Sequence, residues 1–417
     1  MTITRSARDG FTIMNDTLRI SDIERAAERL RGVLHATPLD RSATFSAMSG
    51  AEIYLKYEHL QKTGSFKIRG AYNKLCELKE AGEVAEVVAA SAGNHAQGVA
   101  FASAKLGISA TIVMPKSTPL VKVKATEGYG ANVVLAGDSY DDAYEASVKI
   151  CEERGAVFIH PFNDLSVVAG QGTIGHDILK ALPNVDVIFI PAGGGGLLAG
   201  TAFYLKNINP RIKIIGVQAE GADAISQSFK AKSKISTPNV STIADGIAVK
   251  SPGDLTLGLI NKYVDDVVTV SDAEISSAIL NLLERCKQVV EPAGASSLAA
   301  ALRAGEEYRG KRCVCLLSGG NIDVGFIHRI IEIGLVARGR KLKFKTVLPD
   351  VPGSLEKFSH ICSENQANIV QVQYDRMSAE LDPQEVILHV ACEVSDSNHA
   401  LRVTNALEKA GYKVIKE

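Results

Sequence analysis

The sequence predicts an α/β fold of open, mostly parallel sheets, followed at the C-terminal end by a smaller α+β module. Three observations carry that prediction. Short apolar runs without polar alternation recur from about Val87 to Ser318, the pattern of strands buried on both faces and therefore parallel. Helix-forming stretches separate these runs, so the connections are right-handed βαβ crossovers. Near Arg338-Gly339-Arg340-Lys341 the pattern changes to residue-by-residue alternation, which marks strands with one buried face.

In chain order the parallel runs are VVAAS from Val87, ATIVMP from Ala110, ANVVLAG from Ala131, AVFIHPF from Ala156, VDVIFIPAG from Val185, IIGVQAE from Ile214 and CVCLLSGG from Cys313. Segments such as Ser139 to Arg154 supply helices between them. Ligands of such sheets sit at the carboxyl ends of the strands. Beyond the polar cluster, Leu342, Phe344 and Thr346 alternate with Lys341, Lys343 and Lys345. Pro352-Gly353-Ser354 then opens a helix with Leu355, Phe358, Ile361 and Cys362 at helical spacing. Strands through Val370, Val372 and Tyr374 and through Val386, Leu388 and Val390 follow. A helix from about Asn398 to Lys409 and a short strand from Tyr412 to Ile415 complete a βαββαβ order.

Composition narrows the function. A chain of 417 residues can bury more than one core. Its 46 basic and 47 acidic residues leave a formal charge of -1, which argues against nucleic acid or an anionic membrane as general partner. The N-terminus lacks an apolar signal-peptide core, and no apolar run reaches the ~18 residues of a membrane span. A soluble cytoplasmic protein is expected. Seven cysteines at irregular spacings suggest neither a disulfide framework nor a zinc site, but small apolar core residues.

The chemistry centres on Gly64-Ser65-Phe66-Lys67-Ile68-Arg69-Gly70. A lysine held between apolar neighbours loses its charge readily and becomes a nucleophile. Most such lysines merely snorkel from a helix, so three further segments matter: Ser91-Ala92-Gly93-Asn94-His95-Ala96-Gln97-Gly98, Gly193-Gly194-Gly195-Gly196-Leu197 and Ser318-Gly319-Gly320-Asn321. Each of the three follows an apolar run directly. The glycine run precedes a helix, so its amides can converge on an anion such as a phosphate. Gly194, Gly196 and Ala199 also fit a dinucleotide fingerprint, with Glu220 at a tolerable distance. The loop alone does not separate the two readings. A P-loop is excluded, because no Lys-Ser/Thr pair follows the glycines. Asn94, His95 and Ser318, taken singly, read as turn residues.

In this order the four segments resemble the fold-type II pyridoxal-phosphate enzymes (tryptophan synthase β-like), over about Leu18 to Val336. SFKIRGA followed by SAGNHAQG is most similar to the serine/threonine dehydratase branch. The tail resembles an ACT regulatory domain, of ferredoxin-like α+β type. The resemblance implies a catalytic domain over 1–337, with a small subdomain of about 55–160 inserted in a large one, and an ACT domain over 338–417. It implies pyridoxal 5'-phosphate as cofactor, carried by Lys67, which also takes the α-proton. By the same resemblance Phe66, Asn94, Gly193, Gly194, Gly195, Gly196, Leu197 and Ser318 contact the cofactor, Asn94 at the ring hydroxyl and Ser318 at the pyridine nitrogen. The turn Ser91, Ala92, Gly93, Asn94 and His95 would hold the substrate carboxylate.

The activity so implied is deamination of L-threonine to 2-oxobutanoate and ammonia, with L-serine giving pyruvate, as the allosterically regulated first step of isoleucine biosynthesis. Serine dehydratase or serine racemase is the alternative within the family, and a silent amino-acid sensor is the alternative outside it. Racemases of this family carry a second serine where this chain has Ala92. They also bind a divalent cation where this chain reads Gln218 and Ala224, so no metal is expected, although Glu220 and Asp223 lie close by in sequence. For the tail, the resemblance implies an effector, isoleucine or valine, at Pro352, Gly353 and Ser354, with Asn368 contributed by a paired module. A homo-oligomer, tetramer or dimer, follows.

Overall fold

The computed structural model describes residues 17–82, 84–377 and 382–416. It forms two compact units that divide after Ile322. In the larger unit the strands are β1 (Leu39–Arg41), β2 (Glu52–Lys56), β3 (Glu86–Ala90), β4 (Ser109–Met114), β5 (Asn132–Leu135), β6 (Val157–Phe158), β7 (Val187–Pro191), β8 (Lys213–Ala219), β9 (Asp266–Val270) and β10 (Arg312–Leu316). They make a six-stranded sheet of order β1-β2-β10-β7-β8-β9 and a four-stranded sheet of order β5-β4-β3-β6. Every pair is parallel except β1 with β2. The chain thus leaves the large sheet after β2, builds the small one, and returns at β7.

Each of the seven apolar runs is a strand. β7 is buried at all five positions, as a central parallel strand requires. Three strands escape the apolar-run criterion. β1 has three residues and β2 is bounded by Glu52 and Lys56, while β9 mixes Asp266 and Thr269 with its valines. All seven cysteines are free thiols. Among the described residues no helix is long and apolar enough to cross a membrane.

Three helices underlie the site: Lys67–Glu80, Leu165–Ala181 and Gly196–Ile208. They cross where glycines let backbones touch. A Cβ on Gly170 would stand 2.5 Å from the Arg69 carbonyl oxygen, and one on Gly200 would stand 2.2 Å from that of Val168. Alanine is the better helix former by about 1 kcal/mol, but a backbone carbonyl cannot retreat as a side chain can. Gly200→Ala is therefore expected to destabilise the protein by about 2 kcal/mol or more, read as a lowered denaturation midpoint. An unchanged midpoint would contradict the contact.

Beneath the same platform lies a buried ion cluster. Arg69 donates to Glu58 from Nε at 2.8 Å and Nη2 at 2.9 Å, to Asp177 at 2.7 Å and to Thr173 at 2.9 Å. Lys56 stands 3.8 Å from Glu58 and donates to the Thr37 carbonyl at 2.7 Å. Two cations and two carboxylates balance, which makes the burial of Lys56, Glu58 and Arg69 tolerable, while Asp177 reaches the surface.

In the smaller unit, helix Val324–Ala337 precedes β11 (Lys341–Pro349), β12 (Asn368–Asp375), β13 (Glu385–Glu393) and β14 (Ile415–Lys416). These form an antiparallel sheet of order β12-β13-β11-β14. From Lys341 onward the element order, with helices Ser354–Glu364 and Ser397–Lys409, is βαββαβ. Leu342, Phe344, Thr346 and Leu348 point inward as the alternation requires, and Phe344 packs in one core with Phe358, Leu388, Val403 and Leu407. Edge strand β12 leaves Val370, Val372 and Tyr374 exposed.

Candidate active site

The lysine segment and the last diagnostic segment are stitched together by backbone. Ser318 follows β10, and its carbonyl accepts from Phe66 N at 3.0 Å, while the Gly64 carbonyl accepts from Gly320 N at 2.9 Å. Ser65 and Gly319 form an isolated antiparallel bridge between these bonds. Lys67 then heads its helix, with Nζ donating to the Pro161 carbonyl at 3.1 Å and lying 5.3 Å from the Phe66 ring centroid. Burial lowers the amine pKa to about 8, against the opposing pull of Glu291. Such an amine gives up its proton near neutrality.

The sequence reads Ser91–His95 as a turn, but in the structure Asn94 opens helix Asn94–Leu106. The difference is useful, because the first N–H groups of a helix have no intrahelical acceptor and point out of its end. The His95 side chain turns inward, with Nε2 2.9 Å from the Ile159 carbonyl. Burial, and after it Lys67, pulls its pKa down to about 3, so the ring is neutral.

The glycine run follows β7, and Gly195, at φ +95°, is the residue before helix Gly196–Ile208. A partial positive charge and outward N–H groups thus meet at the loop. Sequence reasoning ascribes the glycines to close approach of a ligand. The structure adds a demand from the protein side: a Cβ on Gly194 would meet the Phe162 ring at 2.2 Å, and one on Gly195 would meet Thr256 Oγ1 at 2.9 Å. Thr256 Oγ1 also donates to the Gly194 carbonyl at 2.7 Å.

Two features went unread in the sequence. The first is His160–Asn163, just past β6. His160 Nδ1 accepts from Phe162 N at 3.2 Å and Asn163 N at 2.8 Å, and burial holds its pKa at about 4. This neutral hub sets Pro161 against Lys67 and Phe162 against the glycines. The second is Glu291, the residue before helix Pro292–Arg303. Asn94 Nδ2 donates to its Oε1 at 2.8 Å and Oε2 at 3.0 Å, and Asn94 Oδ1 accepts from Asn321 Nδ2 at 2.7 Å. Glutamate is an uncommon helix cap, and only Pro292 at the helix start flags the position.

Lys67, Phe66, Asn94 and Ser318 therefore gather at strand ends and helix starts of one unit, with Ser91, Ala92, Gly93 and His95 on the Asn94 segment and Gly193 to Leu197 at the end of β7. Pro352, Gly353, Ser354 and Asn368 lie in the other unit. Gln218 is buried and committed to backbone, donating to the Ala192 carbonyl at 3.1 Å and accepting from Ser226 N at 2.8 Å.

Comparison with known proteins gives a family match over residues 30–319, to the model for pyridoxal-phosphate dependent enzymes. The L-threonine ammonia-lyase of Thermotoga maritima is 47% identical over 397 residues, 95% of this chain and 99% of that protein. The catabolic L-threonine dehydratase TdcB of Escherichia coli K12 is 45% identical over 313 residues, 75% of this chain and 95% of that one. Among solved structures, that of maize serine racemase is 38% identical, with a TM-score of 0.71 over 77% of this chain and 98% of its own.

Pyridoxal phosphate fits the groups present. A desolvated amine suits its aldehyde, and a glycine-built helix start suits its phosphate. Ser65 Oγ, buried two residues from Lys67, has no hydrogen-bond partner among the described residues, a cost that a bound ligand can relieve. Matched over most of its length and furnished with these groups, the chain belongs to the pyridoxal-phosphate dependent enzyme family of fold type II.

Proposed function

We propose that the chain is a cytoplasmic threonine ammonia-lyase, converting L-threonine to 2-oxobutanoate and ammonia and L-serine to pyruvate and ammonia. The observation that carries this reading is 47% identity to the Thermotoga maritima enzyme across both units, joined to the desolvated Lys67. When bound, pyridoxal phosphate supplies the electron sink that acidifies the substrate's α-carbon. Lys67 removes the α-proton, a role suited to an amine with a pKa near 8. The start of helix Asn94–Leu106, with Ser91 to His95, holds the substrate carboxylate, and Gly193 to Leu197 hold the cofactor phosphate. Phe66, Asn94 and Ser318 position the cofactor ring. Loss of the β-hydroxyl as water leaves an enamine, which hydrolyses to the 2-oxo acid and ammonia.

Ala92 has no proton to give on the opposite face, which favours elimination over racemisation. Incubation with L-threonine should yield 2-oxobutanoate with little D-threonine or D-allothreonine. Racemisation at a rate comparable to deamination would overturn this reading.

For residues 338–417 we infer an ACT module that pairs with its counterpart in a homo-oligomer, a dimer or tetramer, and binds isoleucine or valine as in a regulated first step of isoleucine biosynthesis. The βαββαβ order and the exposed Val370, Val372 and Tyr374 on edge strand β12 support pairing. Gly353 has φ +88°, and a Cβ there would have nothing within 4 Å. It opens the helix from Ser354, next to Pro352, where a carboxylate is favoured. Asn368 pairs with Glu393 at one end of β13, whereas Pro349, close to Gly353 in sequence, pairs with Glu385 at the other end. A ligand touching both Gly353 and Asn368 therefore needs two copies of the module. Deleting the chain after Gly339 should keep threonine deamination and erase the response to isoleucine; an equal response in the shortened enzyme would place the effector elsewhere.

A further inference from the structure

The hydrogen bonds around Asn94 leave its amide one orientation. Asn321 Nδ2 donates to Asn94 Oδ1 at 2.7 Å and to the Thr63 carbonyl at 2.8 Å, so Asn321 is itself fixed. Reversing the Asn94 amide would set its oxygen against the Glu291 carboxylate and its NH₂ against that of Asn321. One side of Asn94 thus ends at an acid, Glu291, and the other, through Asn321, at the Thr63 carbonyl.

That acid is costly. It is 4% exposed, and among the described residues it forms no ion pair within 4.0 Å. Its side chain makes no capping bond to the helix it precedes. Its space is reserved by glycines: a Cβ on Gly319 would stand 2.3 Å from Glu291 Oε1, and one on Gly246 would stand 3.3 Å away. A glutamine would answer Asn94 with no buried charge, so a purely structural role does not call for an acid.

We propose that Glu291 is a positioning residue for the cofactor: its carboxylate locks the Asn94 amide in the one orientation that presents a donor edge at the end of β3, and it adds a negative charge near Lys67. The proposal rests on the assignment of this cleft to pyridoxal phosphate. Burial pushes the Glu291 carboxyl up to about 7, Asp245 adds to the rise, and Asn94, the Asn321 backbone and Lys122 oppose it. Lys67 feels the Glu291 charge, and the titratable rings around Lys67, His95 and His160, are neutral. The ionised form orients Asn94, so its hold is complete only well above pH 7 and fades as pH falls through that value.

The test compares wild type, Glu291→Gln and Glu291→Ala as holoenzymes, by the cofactor's dissociation constant and visible absorption band across a pH series. Glutamine keeps an acceptor for Asn94 but never ionises, whereas alanine removes the acceptor. The Ala variant is expected to bind pyridoxal phosphate about 10- to 100-fold more weakly and to shift the band. The Gln variant, neutral at every pH, should hold the cofactor across the series about as weakly as wild type does well below pH 7, and so lose the wild-type pH dependence. Wild-type affinity and spectrum in the Ala variant would overturn the proposal, as would a Gln variant with the pH dependence of wild type. If the Ala variant does not fold, the Gln pH series decides alone. None of these readouts needs threonine turnover, so failure of the lyase assignment and failure of this proposal are distinguishable.

Discussion

Lys67→Ala is expected to abolish threonine deamination, with kcat reduced by at least about 10⁴-fold, while the protein stays folded. The two outcomes separate because among the described residues the lysine side chain is held by a single hydrogen bond, to Pro161, and alanine is a good helix former at the start of Lys67–Glu80. Packing therefore loses little, whereas the site loses its only proposed proton carrier and its covalent hold on the cofactor. Initial rates, far-ultraviolet dichroism and cofactor retention on dialysis measure the three consequences. Borohydride reduction of the wild-type holoenzyme followed by peptide mapping should place the cofactor on Lys67. A reduced adduct on a different lysine would refute the assignment.

Arg69→Met is expected to cost about 3–5 kcal/mol at neutral pH, the penalty for breaking a buried pair from one side. Burial alone would raise the Glu58 carboxyl, but the Arg69 guanidinium, with Lys56 and the Thr37 hydroxyl, outweighs it and holds the group below the ordinary carboxylate range. Asp177 is likewise raised by burial yet held well down by its bonds to His176 and Arg69. Depressed carboxyls contribute stability above their unfolded pKa, about 4, and lose it as pH falls through the folded value. Without Arg69, Glu58 keeps only the more distant Lys56 at 3.8 Å and can shed its charge by protonation in acid. The loss caused by Arg69→Met should therefore shrink between pH 7 and about pH 4, as measured by denaturant midpoints. A loss of equal size at both values would mean that the cluster contributes packing alone.

How much of this was legible beforehand follows from where the information sits. Strands buried on both faces announce themselves, so every apolar run from Val87 to Cys313 is a strand and the parallel class is plain. β1, β2 and β9 are short or carry charged residues, and their place in the sheet comes from distant partners such as β10. The four diagnostic segments are local patterns, and they converge because strand ends and helix starts do so in this class of sheet. Glu291 has no local pattern. Its meaning lies in a bond to Asn94 across 197 positions of sequence, which one chain read linearly does not reveal. His160 is similar, since its ring works through the two backbone amides that follow it, inside a run read only as strand. Asn94 as a helix start was missed because Gly93 is an indifferent cap signal and the SAGN sequence reads as a turn.

The glycine crossings at Gly170 and Gly200 bear on how the molecule yields to hydrostatic pressure. Pressure acts on folded proteins by eliminating internal voids, and the gaps between these helices are too small to accept one methyl carbon. Compression must then be taken up elsewhere in the cores, where side chains rather than backbones meet. The platform under Lys67 should therefore yield little, and its amine should keep its place relative to Pro161 while looser regions contract around it.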